Sequence, residues 1–150
     1  MLLGNDLSKQ YNGVCALHSA TVRLHPGSTT MLLGRNGSGK STLLNILALS
    51  AAADSGGGQR RRANLAAALT NEPRYLLLDE PFAGLDENSE RRVLTLLGEY
   101  AKNGCGILIA SHQPRLLRGL AEQAIVLERG EVTFYGTAED YSSALKEREL

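Results

Sequence analysis

The sequence predicts an α/β fold: a mostly parallel sheet flanked by helices, preceded by an antiparallel β portion at the N-terminus. Three observations carry this expectation. Tyr75–Leu78 (Y-L-L-L) and Ile107–Ala110 (I-L-I-A) are short continuous apolar runs, the pattern of strands buried on both faces. Helical patterns alternate with them along the chain, as parallel sheets require. Gly34 to Thr42, G-R-N-G-S-G-K-S-T, sets a glycine-rich loop between a β-prone run and an apolar helix.

In chain order, Leu2–Leu7, Val14–Leu17, Thr21–Leu24 and Thr29–Leu33 read as short strands, with Pro26-Gly27 turning the last pair. Ser41 to Leu49 reads as a helix. Residues 51–58 (A-A-A-D-S-G-G-G) are small and linker-like. A second helix is expected from Gln59 to about Thr70, ending before Asn71-Glu72-Pro73. Glu87 to Ala101 reads as a helix with Asp86 as N-cap and Val93, Leu94, Leu96 and Leu97 facing inward. Ile125–Leu127 and Glu131–Tyr135 flank Arg129-Gly130 as a hairpin, and the tail from Thr137 is a polar helix. No internal repeat is found. The 150 residues are expected to form one domain, 1–150, long enough to bury roughly 70% of the unfolded surface.

Sixteen basic residues cancel sixteen acidic ones, so no global positive field marks nucleic acid as the main partner. No apolar stretch approaches the ~20 residues needed to cross a bilayer. The start, M-L-L-G-N-D, lacks the basic and long apolar regions of a signal peptide. Cys15 and Cys105 show no metal-ligand spacing and are expected to be buried and reduced, which fits a cytosolic location.

The loop has a chemistry. Its glycines let successive backbone N–H groups turn toward phosphate oxygens, Lys40 adds a mobile positive charge near the β- and γ-phosphates, and the Ser41 hydroxyl suits magnesium. The following helix presents the positive end of its dipole. Gly34, Asn36, Gly37, Ser38, Gly39, Lys40, Ser41 and Thr42 are therefore candidate nucleotide-binding residues.

A second constellation follows Leu76-Leu77-Leu78: Asp79 and Glu80 close a buried strand. Beside a phosphate loop, the strand-end aspartate is placed to complete a magnesium site. The next carboxylate is placed to polarise an attacking water. Taken alone, an Asp-Glu pair after apolar residues is a common strand terminus. His112, at the end of another strand, has the donor chemistry to bond a terminal phosphate oxygen and keep water and Glu80 in line. His18 and His25 have no such context and read as surface or packing residues. Arg60–Arg62 reads as a solvated helix face.

With these residues in view, the chain resembles the nucleotide-binding subunit of ATP-binding cassette (ABC) transporters. Pro81-Phe82-Ala83-Gly84-Leu85-Asp86 matches that family's D-loop, ending at Asp86. Ile107 to His112 matches the strand that delivers its switch histidine. Tyr11, in S-K-Q-Y-N-G-V, stands where the family stacks an aromatic ring on adenine. Gly57-Gly58-Gln59 and the following R-R-R-A-N-L resemble the end of its signature and the helix after it. The resemblance implies a P-loop NTPase core of the ABC-ATPase type, with ATP and Mg2+ as cofactors. Glu80 and His112 would be catalytic, and Ser41 and Asp79 would hold the metal. Tyr11, Gly57, Gly58, Gln59 and Asp86 would join the loop in nucleotide contacts. It further implies a head-to-tail homodimer, a transmembrane transporter subunit as partner, and a place at the cytoplasmic face of the membrane.

The sequence also departs from that pattern. Only Leu43–Asp54 separates the loop from the signature-like segment, so the family's helical subdomain and glutamine loop are missing. Gln10, Gln59, Gln113 and Gln123 all lie in other contexts. The signature is altered: Gly56 or a displaced Ser55 occupies its serine position, and Ala67 stands where the family has an arginine. The leading expectation is ATP binding with hydrolysis. The alternatives are a module that binds ATP with little turnover, and a chromosome-maintenance or DNA-repair ATPase core of the same superfamily.

Overall fold

The computed structural model describes residues 1–54 and 73–148. The helix expected over 59–70 and the signature-like Gly57, Gly58 and Gln59 lie outside the described residues. Strands β1 (Leu2–Tyr11) and β2 (Val14–Leu24) form a two-stranded antiparallel sheet. There follow β3 (Thr29–Leu33), α1 (Lys40–Asp54), β4 (Tyr75–Asp79), α2 (Glu87–Lys102) and β5 (Gly106–Ala110). A 3-10 turn (Pro114–Leu117), β6 (Gln123–Glu128), β7 (Glu131–Thr137) and α3 (Ala138–Arg148) complete the order.

The second sheet runs β4-β5-β3-β6-β7, parallel except for its last pair. Alternation along its strands divides the core in two. Leu32, Leu108, Ala110, Ile125 and Leu127 face β1, β2 and α1, where they meet Leu17, Val22, Leu24, Leu43 and Leu47. Met31, Leu33, Ile107, Ile109 and Ala124 face the other way and pack on Phe82, Leu97, Ala101 and Leu117. Every residue of β3 and of β5 is buried, the continuous apolar pattern having required cover on both faces. Each leucine wholly removed from water contributes roughly 1.5–3 kcal/mol.

Four expectations are corrected. Val14–Leu17 and Thr21–Leu24 are parts of one strand, because Ser19 takes a left-handed φ of 46° and carries β2 through its irregular pairing with β1. Residues 51–54 continue α1 instead of beginning a linker, consistent with the high helix propensity of alanine. On α2, Leu97 is fully buried while Val93 and Leu94 flank the core, but Leu96 lies beside Arg92, Thr95 and Glu99. Cys15 is only half-buried, whereas Cys105 is buried; both are free thiols, and burial pushes the Cys105 thiol upward in pKa.

Candidate nucleotide-binding site

Strand order brings three distant segments together. β3 ends at Leu33 and runs into the glycine loop, β5 ends at Ala110 before Ser111-His112, and β4 ends at Asp79. Because β5 lies between β3 and β4, Ala110 is in register with Leu32 on one side and Asp79 on the other. Adjacent strands are about 4.8 Å apart, so the three ends span about 10 Å at the carboxyl edge of a parallel sheet. Open α/β sheets bind ligands at such edges.

The loop is held by its own lysine. Lys40 is buried, and its Nζ donates to Gly34 O at 2.7 Å and Arg35 O at 3.0 Å. An ammonium has three N–H groups, so one remains for a phosphate oxygen. Two loop glycines are required by close approach as well as by positive φ. A Cβ on Gly34 would collide with Leu127 O and Ser38 Oγ; one on Gly39 would sit 2.6 Å from Ala16 O. Asn36 and Gly37 are exposed at the tip, Thr42 is half-buried in α1, and the buried Ser38 hydroxyl has no hydrogen-bond partner among the described residues.

Ser41 Oγ donates to Asp79 Oδ2 at 2.7 Å, which sets a hydroxyl beside a carboxylate at the mouth of the loop. These are hard oxygen donors of the kind magnesium selects. Two protein ligands suffice when phosphate oxygens and water fill the remaining octahedral positions. The residues present fit the ion.

Glu80 and His112 form the next pair, with Nδ1 3.0 Å from Oε1. Glu80 has a φ of 47°, left-handed for a non-glycine residue, and its N–H donates to Ala110 O at 2.9 Å. That bond across the strand ends turns the carboxylate toward the histidine. Gln113 Nε2 lies 3.4 Å from His112 Nε2.

Tyr11 is half exposed at the end of β1, paired with Val14, and Lys9 Nζ stands 5.5 Å from its ring centroid. Val14 is two residues before Ala16, whose carbonyl abuts Gly39, so β2 links the tyrosine to the loop. Asp86 is engaged by its own helix: it accepts from Ser89 N at 2.7 Å, and that bond lowers its carboxyl pKa. No hydrogen bond among the described residues joins it to the loop.

Two neighbours of the site were not singled out from sequence. Gln113, one of four glutamines with no loop context in the sequence, directly follows His112 and lies beside its ring. Gly130 read only as a hairpin turn, yet its N–H donates to Ser38 O at 2.9 Å. Short-range pattern carries no sign of either contact.

Parts of this chain are similar to known proteins. Residues 17–57, from within β2 through the loop and α1, match the family model described as ABC transporter. An uncharacterised ABC transporter ATP-binding protein of Rhizobium meliloti (strain 1021) is 42% identical over 84 residues, covering 56% of this chain and 31% of the relative. Over these stretches the chain is similar to ABC transporter ATP-binding proteins. The energy-coupling factor transporter ATP-binding protein EcfA2 of Symbiobacterium thermophilum is 43% identical over 81 residues, 54% of this chain and 28% of that protein. The lipopolysaccharide export system ATP-binding protein LptB of Escherichia coli is 37% identical over 81 residues, 54% and 34% of the two chains. The chain thus spans about a third of the length of the curated relatives it matches.

The fold is shared with a nucleotide-free ATP-binding cassette from an ABC transporter, at a TM-score of 0.79 and 15% identity, over 96% of this chain and 94% of the other. A dimeric bacterial ABC transporter cassette gives 0.77 at 16% identity, over 92% and 99%. No helix among the described residues is long and apolar enough to cross a membrane.

Proposed function

We propose that residues 1–150 form one reduced ATP-binding domain that binds ATP with Mg2+ and hydrolyses it as part of an ABC transporter. The observation that carries this reading is the meeting of Ser41 with Asp79 at 2.7 Å and of Glu80 with His112 at 3.0 Å, both beside the phosphate loop. In this reading the amides of residues 36–42 and Lys40 hold the phosphates, and Tyr11 stacks on adenine. Ser41 and Asp79 hold magnesium, which when bound neutralises charge on the β- and γ-phosphates. Glu80 accepts a proton from the attacking water, and His112 bonds a terminal phosphate oxygen and holds Glu80 in line. A second copy, packed head to tail, offers Gly57, Gly58, Gln59 and Asp86 to the same nucleotide. A transmembrane subunit is the partner, with the domain at the cytoplasmic face of the membrane.

A second reading, an ATP-binding module with little turnover, is favoured by the short Leu43–Asp54 interval and the altered signature. Two measurements separate them. The molecular size of the Glu80→Gln variant is measured with and without MgATP, since impaired hydrolysis cannot then disperse a nucleotide-bridged pair. Phosphate release by the unaltered chain is measured at several protein concentrations. Dimerisation with MgATP and a per-subunit rate that rises with concentration are expected. Binding with a flat, background rate would replace the enzyme by the module, and no MgATP binding would end both readings.

A further inference from the structure

The phosphate loop is backed by main chain from two remote places, and these meet at one residue. Gly130, in the β6–β7 turn, donates its N–H to Ser38 O at 2.9 Å and accepts from His18 N at 2.8 Å through its carbonyl. Ala16, also on β2, sets its carbonyl 2.6 Å from the Cβ position of Gly39 and 2.9 Å from that of Gly130. Three segments far apart in sequence are therefore in main-chain contact: β2, the loop and the hairpin turn. Gly39 has a φ of 104° and Gly130 one of 82°, so both positions exclude ordinary side chains on two grounds.

The consequence lies in one peptide plane. In a trans peptide the carbonyl of Ser38 and the N–H of Gly39 point in opposite directions. Holding Ser38 O from below with Gly130 N–H fixes that plane and directs the Gly39 N–H to the opposite face, where a phosphate oxygen would lie. Nests of amides bind anions only when several N–H groups converge.

We propose that Gly130 is a positioning residue for the phosphate loop, acting through Ser38 to orient the Gly39 amide toward the nucleotide's phosphates. This inference rests on the nucleotide-binding reading above. It assigns a binding role to a hairpin turn that touches no substrate.

The test compares Gly130→Ala, Gly130→Asn and Gly119→Ala in the full chain. Gly119 has a φ of 83° and open space at its Cβ position, so its substitution matches the backbone strain away from the loop. Asparagine tolerates left-handed φ, so Gly130→Asn keeps the Cβ contact with Ala16 O while easing the strain. MgATP affinity is expected to fall at least about tenfold in both Gly130 variants and to stay within about twofold in Gly119→Ala. By NMR, the Gly39 amide proton should move downfield on adding MgATP to the unaltered chain, and less so in the Gly130 variants. Should neither Gly130 variant fold, hydrogen exchange on the unaltered chain decides. The Gly130 amide should exchange more slowly once MgATP is bound, and an unchanged rate overturns the inference. Affinity in folded Gly130 variants within twofold of the unaltered chain overturns this inference alone. No MgATP binding by the unaltered chain overturns it together with the nucleotide reading.

Discussion

Ser41 Oγ donates to Asp79 Oδ2 at 2.7 Å, joining residues 38 positions apart in sequence. The bond ties the first turn of α1 to the end of β4 and so unites the loop with the acidic strand terminus. Asparagine at 79 would still accept from the serine but would remove the negative charge that a divalent cation requires. Asp79→Asn is therefore expected to bind ATP in the absence of magnesium much as the unaltered chain does, and to lose about tenfold or more of the gain that magnesium brings. ATP titrations with Mg2+ and with a chelator measure both. An undiminished magnesium effect would show that another group holds the ion.

Lys40 Nζ is bound to two carbonyls of its own loop, those of Gly34 and Arg35. Lys40→Ala is expected to abolish nucleotide binding, since both the phosphate charge partner and the brace across Gly34 and Arg35 disappear. Calorimetry with MgATP checks it. Undiminished affinity would refute the assignment of this loop.

Glu80 keeps its left-handed backbone despite a side chain that disfavours it. The αL conformation costs an L-residue about 1–2 kcal/mol, while glycine loses about 0.5–1 kcal/mol more entropy on folding. Glu80→Gly is thus expected to stabilise the fold by about 0.5–1 kcal/mol while hydrolysis is lost, a trade between strain and function. Denaturant midpoints and phosphate release test the two halves separately. A less stable variant would place the Glu80–His112 contact above the backbone strain in energy.

Asp86 caps α2, and its pKa lies below the ordinary 3.8 because the backbone N–H of Ser89 favours the carboxylate. A lowered folded-state pKa gives stability that is fully present above the unfolded value and fades as pH falls through the folded one. Asn caps comparably without titrating in this range. The thermal midpoint of the unaltered chain should therefore fall more steeply below pH 3.8 than that of Asp86→Asn. Parallel slopes would show that the cap does not contribute to acid sensitivity.

Much of this arrangement was legible locally. Tyr75–Leu78 and Ile107–Ala110 announced buried strands because a two-sided cover leaves no room for polar alternation. Asp86 announced its cap, and Arg129-Gly130 its turn, because both depend on residues within a few positions. The continuity of β2 was hidden because Ser19 interrupts the apolar pattern with a bulge. The extension of α1 to Asp54 was hidden because alanine and small polar residues suit both helix and linker.

The amino-acid sequence by itself determined the glycine-rich loop, its flanking strand and helix, and the acidic and histidine strand ends. Each is a matter of backbone torsion or hydrophobic period over fewer than about ten residues. Only the tertiary structure decided which of them meet. Placing β5 between β3 and β4 sets His112 against Glu80 and Asp79 against Ser41, and folding the β6–β7 turn back onto the loop sets Gly130 beneath Ser38. Such pairings follow from the order in which strands pack over a shared core, and that order depends on the burial of all the elements at once.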